Sequence, residues 1–207
     1  MRQRLLQLLV GVSLAAAFVA TIQKQAFGRD PISSPLAKGA PRRQVYLPIK
    51  DFLLTDQEGR LFQFQSLKGQ VVLVSFIYTT CPDICPLITA SMRLAQEGLR
   101  PSERRSVFFL SITTDPEVDT PEVLKSYAAR YKIDSSNWSF LTGEMQSLTP
   151  VWQAFGVKVE RKARGLINHT SLTGLIDKKV VLRFAYYGSA PDHKKILQDM
   201  RGLLQQG

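Results

Sequence analysis

The chain has 207 residues, of which 44% are hydrophobic and 21% charged, and its formal net charge is +10. This length suits one domain of ordinary size, and the hydrophobic content excludes a wholly disordered chain. Two cysteines exclude a disulfide-dense mini-protein, and basic residues that are scattered rather than interleaved with aromatic ones argue against nucleic-acid binding.

The amino terminus has the pattern of an export signal. Arg2 and Arg4 precede an apolar run over residues 5–22, which is close to the roughly 17–25 residues that span a bilayer. We therefore predict that residues 1–24 are either a cleaved signal peptide or a membrane anchor. The positive charge before the run retains the amino terminus in the cytoplasm, which predicts that the rest of the chain is exported to the periplasm or another extracytoplasmic face.

A proline-containing segment follows the apolar run. Residues 25–48 contain four prolines and show no periodicity, so they are predicted to form a linker. The folded domain is predicted to cover residues 49–207. It is expected to begin with a β-hairpin whose strands, residues 52–55 and 61–64, flank a polar turn that contains glycine.

Beyond the hairpin, apolar runs alternate with helical patterns. Residues 71–78 and 107–113 are continuous apolar runs, which are typical of strands buried on both faces of a parallel or mixed sheet. Further elements are predicted as helices over 86–99, 120–131, 144–155 and 192–204, a strand over 138–141, and a hairpin of strands 171–176 and 180–186. This order predicts a three-layer α/β fold with a mixed central sheet.

Both cysteines, Cys81 and Cys85, lie between the apolar strand 71–78 and the helix that follows it. If this segment opens the helix, the two sulfurs point to one spot, with α-carbons about 6 Å apart. The free N–H groups and partial positive charge of a helix amino terminus favour a thiolate over a thiol. Such a pair can ligate a soft metal or close into a disulfide.

A metal site needs a further ligand, and the sequence contains two histidines. His193 stands at the start of the last predicted helix, where a solvated or capping role is the simplest interpretation. His169 immediately precedes the hairpin strand 171–176, and loops at strand ends can lie beside the first helix. Two thiolates with one imidazole suit copper better than magnesium, calcium or manganese, whereas zinc is harder to exclude.

The cysteine segment, FIYTTCPDICP over residues 76–86, resembles the signature of the Sco/SenC family. Members of that family are exported thioredoxin-fold copper proteins that help to metallate the binuclear copper centre of cytochrome c oxidase. Three further stretches are similar to the family pattern, in the right order: SITTDPEVDTP at 111–121, WSFLTG at 138–143 and NHT at 168–170. The resemblance covers roughly residues 51–205 and implies a thioredoxin-like domain.

The resemblance also implies roles for individual residues. Cys81 and Cys85 become thiolate ligands of copper, His169 the imidazole ligand, and Asp115 a supporting acidic residue near the site. The implied partner is the copper-bearing subunit of the oxidase, with an upstream copper donor and a thiol reductant that the sequence does not identify. Thr80 stands where the family often has histidine, and Asn168 precedes His169 where aspartate is common, so the charge beside the ligands differs.

Three other functions remain open from the residues. A thiol-disulfide oxidoreductase would use the same cysteine at a helix start, although its usual spacing is C-x-x-C rather than the C-x-x-x-C found here. A peroxiredoxin would need threonine at the position of Tyr78. A structural disulfide in an exported binding domain is the third, but so short a loop would stabilise the chain little.

Overall fold

The computed structural model describes residues 42–162 and 166–206. Ten strands and five α-helices alternate along this part of the chain. The strands are β1 Arg42–Pro48, β2 Leu53–Asp56, β3 Leu61–Gln63, β4 Val71–Ile77, β5 Val107–Thr113, β6 Trp138–Thr142, β7 Val159–Arg161, β8 Ile167–His169, β9 Leu172–Ile176 and β10 Val181–Tyr187. The helices are α1 Ile84–Glu97, α2 Pro101–Arg104, α3 Pro121–Arg130, α4 Met145–Ala154 and α5 His193–Gln205, with a 3-10 turn at Phe64–Leu67.

Eight strands form one mixed sheet in the order β1-β10-β9-β4-β5-β6-β2-β3. The apolar strands β4 and β5 are parallel neighbours in the middle of the sheet, and β6 is parallel to β5 on its other side. All other pairs in this sheet are antiparallel. All seven residues of β4 are buried, which explains why its sequence is continuously apolar rather than alternating.

Helices cover both faces of the sheet and give it three layers. On one face the apolar sides of α1, α3 and α5 pack against alternate residues of β4, β5 and β6. On the other face α4 and the 3-10 turn pack against the intervening residues of the same strands. The predicted three-layer α/β fold with a mixed central sheet is confirmed, and so is the β2–β3 hairpin.

One segment of the predicted linker is part of the sheet. Residues 42–48 form β1, which pairs antiparallel with β10, so the prediction of a linker is wrong for these residues. Arg42 attaches the strand to α5 through two hydrogen bonds to Asp199. The rest of the predicted linker and the predicted signal or anchor lie outside the described residues. Within the ranges that are described, no helix has the length and apolarity needed to cross a bilayer.

Two short strands form a second sheet that the sequence pattern did not predict. Strands β7 and β8 pair antiparallel, with Val159 opposite His169 and Arg161 opposite Ile167. His169 was expected in a loop, and it is instead the last residue of β8. This β7–β8 hairpin is separate from the eight-stranded sheet.

Candidate functional site

The cysteine loop follows the carboxyl end of β4 and leads into α1. The helix begins at Ile84, two residues before its predicted start at 86, so Cys85 lies in its first turn while Cys81 lies in the loop before it. Asp83 occupies the capping position without a side-chain hydrogen bond. Instead, the backbone N–H of Cys85 donates to Sγ of Cys81 over 3.4 Å, and this sulfur satisfies one of the free amides of the helix start.

The two cysteines differ in exposure. Cys85 is fully buried and Cys81 is partly exposed, and neither is in a disulfide. The Cys85 side chain belongs to the core on the α1 face of the sheet, whereas Cys81 lies at its boundary. Only one of the two sulfurs is therefore open to a partner.

His169 approaches the buried cysteine from β8. Its Nε2 atom lies 3.9 Å from Sγ of Cys85. On the other side of the ring, Nδ1 lies 3.1 Å from the Thr170 carbonyl oxygen, which can only accept a hydrogen bond. Nδ1 therefore holds the ring proton and the lone pair of Nε2 faces the thiols. The edge of the ring also contacts Tyr78, with ring centroids 5.9 Å apart.

The contacts between the two cysteines shift the pKa values of their thiols in opposite directions. The adjacent Cys85 side chain lowers the pKa of Cys81 most, and the backbone N–H groups of Cys85 and Asp83 add to this, so the pKa of Cys81 falls to about 5. The same contact and burial raise the pKa of Cys85. At neutral pH the site therefore contains one exposed thiolate beside one buried thiol.

Burial sets the protonation of the neighbouring rings. It lowers the pKa of His169, against smaller opposing effects of the Thr170 carbonyl and the Cys81 charge. Burial and the adjacent Cys81 raise the pKa of Tyr78 to about 12, so its hydroxyl stays protonated at neutral pH. The imidazole is thus neutral at pH 7 and available as a metal ligand.

Asp119 supports the cysteine loop, a role that the sequence pattern did not indicate. Its fully buried carboxylate accepts hydrogen bonds from the hydroxyl and the backbone N–H of Thr79 and from the Thr113 hydroxyl. Burial raises its pKa in spite of these donors. The only signal in the sequence is a second aspartate four residues after Asp115, and spacing alone does not show which of the two faces Thr79.

Asp115, the acidic residue implied by the resemblance, pairs with Arg161 of β7 instead of the cysteine loop. It is 1% exposed, and its Oδ2 atom has no hydrogen-bond partner in the part of the chain that the structure describes.

His193, the other histidine, is the first residue of α5 and directly follows the capping residue Asp192. Of the residues singled out in the sequence, the structure brings together Cys81, Cys85 and His169.

A groove of about 640 Å³ opens beside Cys81. Its walls are the cysteine loop and α3 with the turn before it, and it is lined by Thr79, Thr80, Cys81, Val118, Glu122, Val123, Ser126, Tyr127 and Arg130. The mixed apolar and charged lining suits a protein segment. Cys85 does not line it, so this groove leads to Cys81 alone.

The donor set fits a soft metal ion. A separation of 3.9 Å between Cys85 Sγ and His169 Nε2 is shorter than the sum of typical metal–sulfur and metal–nitrogen bonds, about 4.3–4.4 Å, so one ion could contact both atoms. Among the described residues, no three Cys, His, Asp or Glu side chains are already at metal-ligand spacing. An ion held by all three residues therefore requires a side-chain adjustment, most simply at the partly exposed Cys81.

Comparison with known proteins identifies similar chains. A SCO1 protein homolog of Bacillus subtilis is 34% identical over 156 residues, which is 75% of this chain and 74% of the relative. The structure of BsSco, a member of the Sco family of cytochrome c oxidase assembly proteins in which a disulfide switch was identified, is 31% identical with a TM-score of 0.68, covering 80% of this chain and 98% of BsSco.

A copper-bound structure is also similar. ScoI of Bradyrhizobium japonicum, solved with copper bound, is 27% identical with a TM-score of 0.61, and the match covers 76% of this chain and 99% of ScoI. The model of the family described as SCO1/SenC matches residues 41–205, most of the chain. The fold, the cysteine segment and these matches together show that the chain belongs to the SCO1/SenC family.

Proposed function

We propose that the chain binds one copper ion through Cys81, Cys85 and His169 and delivers it to the binuclear copper centre of cytochrome c oxidase during assembly. One observation carries the proposal: His169 Nε2, with its lone pair free, lies 3.9 Å from the Cys85 sulfur across 84 positions of sequence. A related protein of the same fold has been solved with copper bound, and BsSco belongs to a group of oxidase assembly proteins.

The three ligands suit both oxidation states of copper. Soft thiolates favour Cu(I), and imidazole is a good ligand for Cu(II). Three protein ligands leave copper with open coordination positions. Because Cys81 borders the groove, thiolates and imidazoles of a docked protein can replace the ligands one at a time, which allows the ion to leave without unfolding the site.

We infer the location from the N-terminal sequence pattern and the partners from the family. Residues 1–24 would export the chain or attach it to the membrane, which places the copper site on the extracytoplasmic side. The recipient is the copper-bearing oxidase subunit. An upstream protein supplies the copper, and a reductant returns the two cysteines to thiols, since a disulfide has no thiolate ligands to offer.

The two histidines of the chain provide a matched pair of variants. The purified domain is expected to bind one copper per chain. His169→Ala is expected to weaken Cu(II) binding by about tenfold or more, because even the loss of a residue that only supports a metal ligand costs about tenfold in affinity. His193→Ala, at the start of α5, should leave binding unchanged. Equal Cu(II) affinity in wild type and His169→Ala would contradict the ligand assignment.

The unequal exposure of the cysteines favours one alternative, a thiol-disulfide oxidoreductase. Cys81 is partly exposed beside a groove and Cys85 is buried within reach, which is the arrangement of an attacking and a resolving thiol. BsSco, related in fold, has a disulfide switch. The midpoint potential of the pair with and without copper separates the two functions. A value well below the range of exchange catalysts, roughly −270 to −120 mV, excludes turnover as an oxidant.

A further inference from the structure

Through the residues that the structure describes, the β7–β8 hairpin, which contains His169, makes few polar contacts with the main domain. Its ladder hydrogen bonds are internal, because the two strands form their own sheet. Ile167 and Val159 pack against the core and the His169 ring contacts Tyr78. Arg161 of the hairpin forms ion pairs with two residues of the main domain, Asp115 and, over 3.1 Å, Glu117. Arg161 is therefore the polar attachment of this hairpin to the turn after β5.

Asp115 depends on Arg161. The carboxylate is almost completely buried, and of the side chains that the structure describes only Arg161 donates to it. Its second oxygen, Oδ2, has no partner among these residues. A buried carboxylate is stable only when it is paired, so the position of Asp115 and the position of Arg161 fix each other.

The turn at residues 115–119 also holds the cysteine loop. The Asp119 N–H donates to the Asp115 carbonyl oxygen over 2.9 Å, and the Asp115 N–H donates to the Thr113 hydroxyl. Asp119 in turn accepts the two hydrogen bonds of Thr79, two residues before Cys81. One turn is thus bonded to the cysteine loop at one end and to the histidine hairpin at the other.

We propose that the Arg161–Asp115 ion pair is a latch that positions His169 against the cysteine pair and so sets the affinity of the site for Cu(II). This inference rests on the proposed copper function. Arg161 acts through the hairpin and touches no proposed ligand, which makes it a positioning residue. Because Asp119 holds the cysteine loop at Thr79 and Cys85 packs in the core from α1, release of the latch leaves the dithiol and its affinity for Cu(I) in place.

The test uses a double variant, Arg161→Met with Asp115→Asn. Arg161→Met alone would leave a buried charge without a partner and endanger the fold, whereas the double variant removes both charges. We expect its Cu(II) affinity to fall about 10–100-fold, with a changed sulfur-to-copper charge-transfer band, while its Cu(I) affinity stays that of the wild type. Arg161→Lys, which keeps the positive charge opposite Asp115, is expected to retain part of the Cu(II) affinity that the double variant loses.

Lys162→Met is the matched control, because it removes an ion pair of the same hairpin, with Glu160, that does not reach the main domain. A double variant whose Cu(II) affinity equals that of Lys162→Met overturns the latch. A parallel loss of Cu(I) affinity also overturns it, because that result indicates general damage to the fold.

A readout without metal separates this inference from the proposed function. The Thr170 N–H donates to the Lys158 carbonyl oxygen at the base of the hairpin. Because an isolated two-stranded hairpin is only marginally stable in water, a hairpin that is released from the domain should also open, and this amide should then exchange faster. The double variant should exchange this amide faster than both wild type and Lys162→Met. If the wild type binds no copper, the proposed function fails, and the exchange rate of the Thr170 amide alone tests the latch. Faster exchange in the double variant then supports the latch, and equal exchange overturns it.

Discussion

The imidazole of His169 faces Cys85 with one nitrogen and the Thr170 carbonyl with the other, at 3.9 Å and 3.1 Å. The backbone contact orients the ring before any ligand arrives, because only the Nδ1–H tautomer can donate to a carbonyl oxygen. Binding at Nε2 then requires no change of tautomer.

This orientation predicts the titration of His169. Because burial lowers its pKa, the ring should be neutral and protonated at Nδ1 from pH 7 upward, with its midpoint below the ordinary value of 6.5. Long-range ¹H–¹⁵N NMR spectra of the metal-free protein distinguish the tautomers and follow the titration. A midpoint above 6.5, or a proton on Nε2 at pH 7, would contradict this orientation.

The unequal thiols predict alkylation at one site. Since the pKa of Cys81 is about 5, its reaction with iodoacetamide should be nearly constant above pH 6 and should fall tenfold per pH unit well below pH 5. Cys85, buried and with a raised pKa, should stay unmodified in the folded protein. Mass spectrometry of the modified peptides measures both rates.

The variant Cys85→Ala provides the control for this experiment. It removes the side chain that contributes most to the lowered pKa of Cys81. The midpoint of Cys81 alkylation should therefore move to higher pH. An unchanged midpoint would show that the helix start alone lowers the pKa of this thiol.

The contact between Thr79 and Asp119 predicts a loss of stability when the hydroxyl is removed. Thr79→Val leaves the buried carboxylate with one donor fewer, which should cost about 1–3 kcal/mol of the free energy of unfolding. Thr79→Ser keeps the hydroxyl and should lose much less. Urea unfolding at pH 7 measures both variants, and equal midpoints for the two would rule out this hydrogen bond as the cause.

Glu103 predicts how stability depends on acid. Hydrogen bonds from Arg201 and Arg100 lower its pKa to about 2 from an ordinary value near 4.5. The folded state therefore binds fewer protons than the unfolded state, and the stabilisation is complete above pH 4.5 and disappears as the pH falls through 2. We expect a loss of about 2 kcal/mol across this window, reduced by solvent around the exposed arginine ends. In Glu103→Gln, denaturant unfolding should show a correspondingly flatter pH profile.

The first strand can be tested through Arg42, which binds the buried Asp199 with two hydrogen bonds of 2.7 and 3.0 Å. Arg42→Met should destabilise the domain by about 3 kcal/mol, because a buried carboxylate loses its main partner. Arg43→Met removes a neighbouring charge that, among the described residues, lies over the Tyr187 ring without an ion pair, and should cost far less. Similar melting temperatures for the two variants would show that β1 contributes little.

The sequence was sufficient for elements whose pattern is local. Strands β4 and β5 could be predicted because a continuous apolar run of their length is typical of a strand buried on both faces, and the place of Cys81 and Cys85 followed from the segment between β4 and α1. Strand β1 escaped prediction because it contains a proline and its partner, β10, lies more than a hundred residues away. Its pairing depends on tertiary contacts that no local pattern reveals.

The sequence allowed us to predict the proposed metal ligands, but not the residues that position them. Cys81, Cys85 and His169 are side chains with distinctive reactivity, so their residue types pointed to metal or redox chemistry. Asp119 and Arg161 act through geometry alone. Both look like ordinary charged residues in sequence, and the three-residue strands β7 and β8 are too short and too polar to show a period.

The burial of Cys85 beside an accessible Cys81 restricts the order in which macromolecules can meet at this site. If the proposed copper donor and copper recipient both dock in the groove beside Cys81, they compete for the same surface. No ternary complex can then form. Loading and unloading become separate encounters, so the loaded chain must dissociate from one protein before it engages the next, and a saturating excess of donor should slow transfer rather than accelerate it.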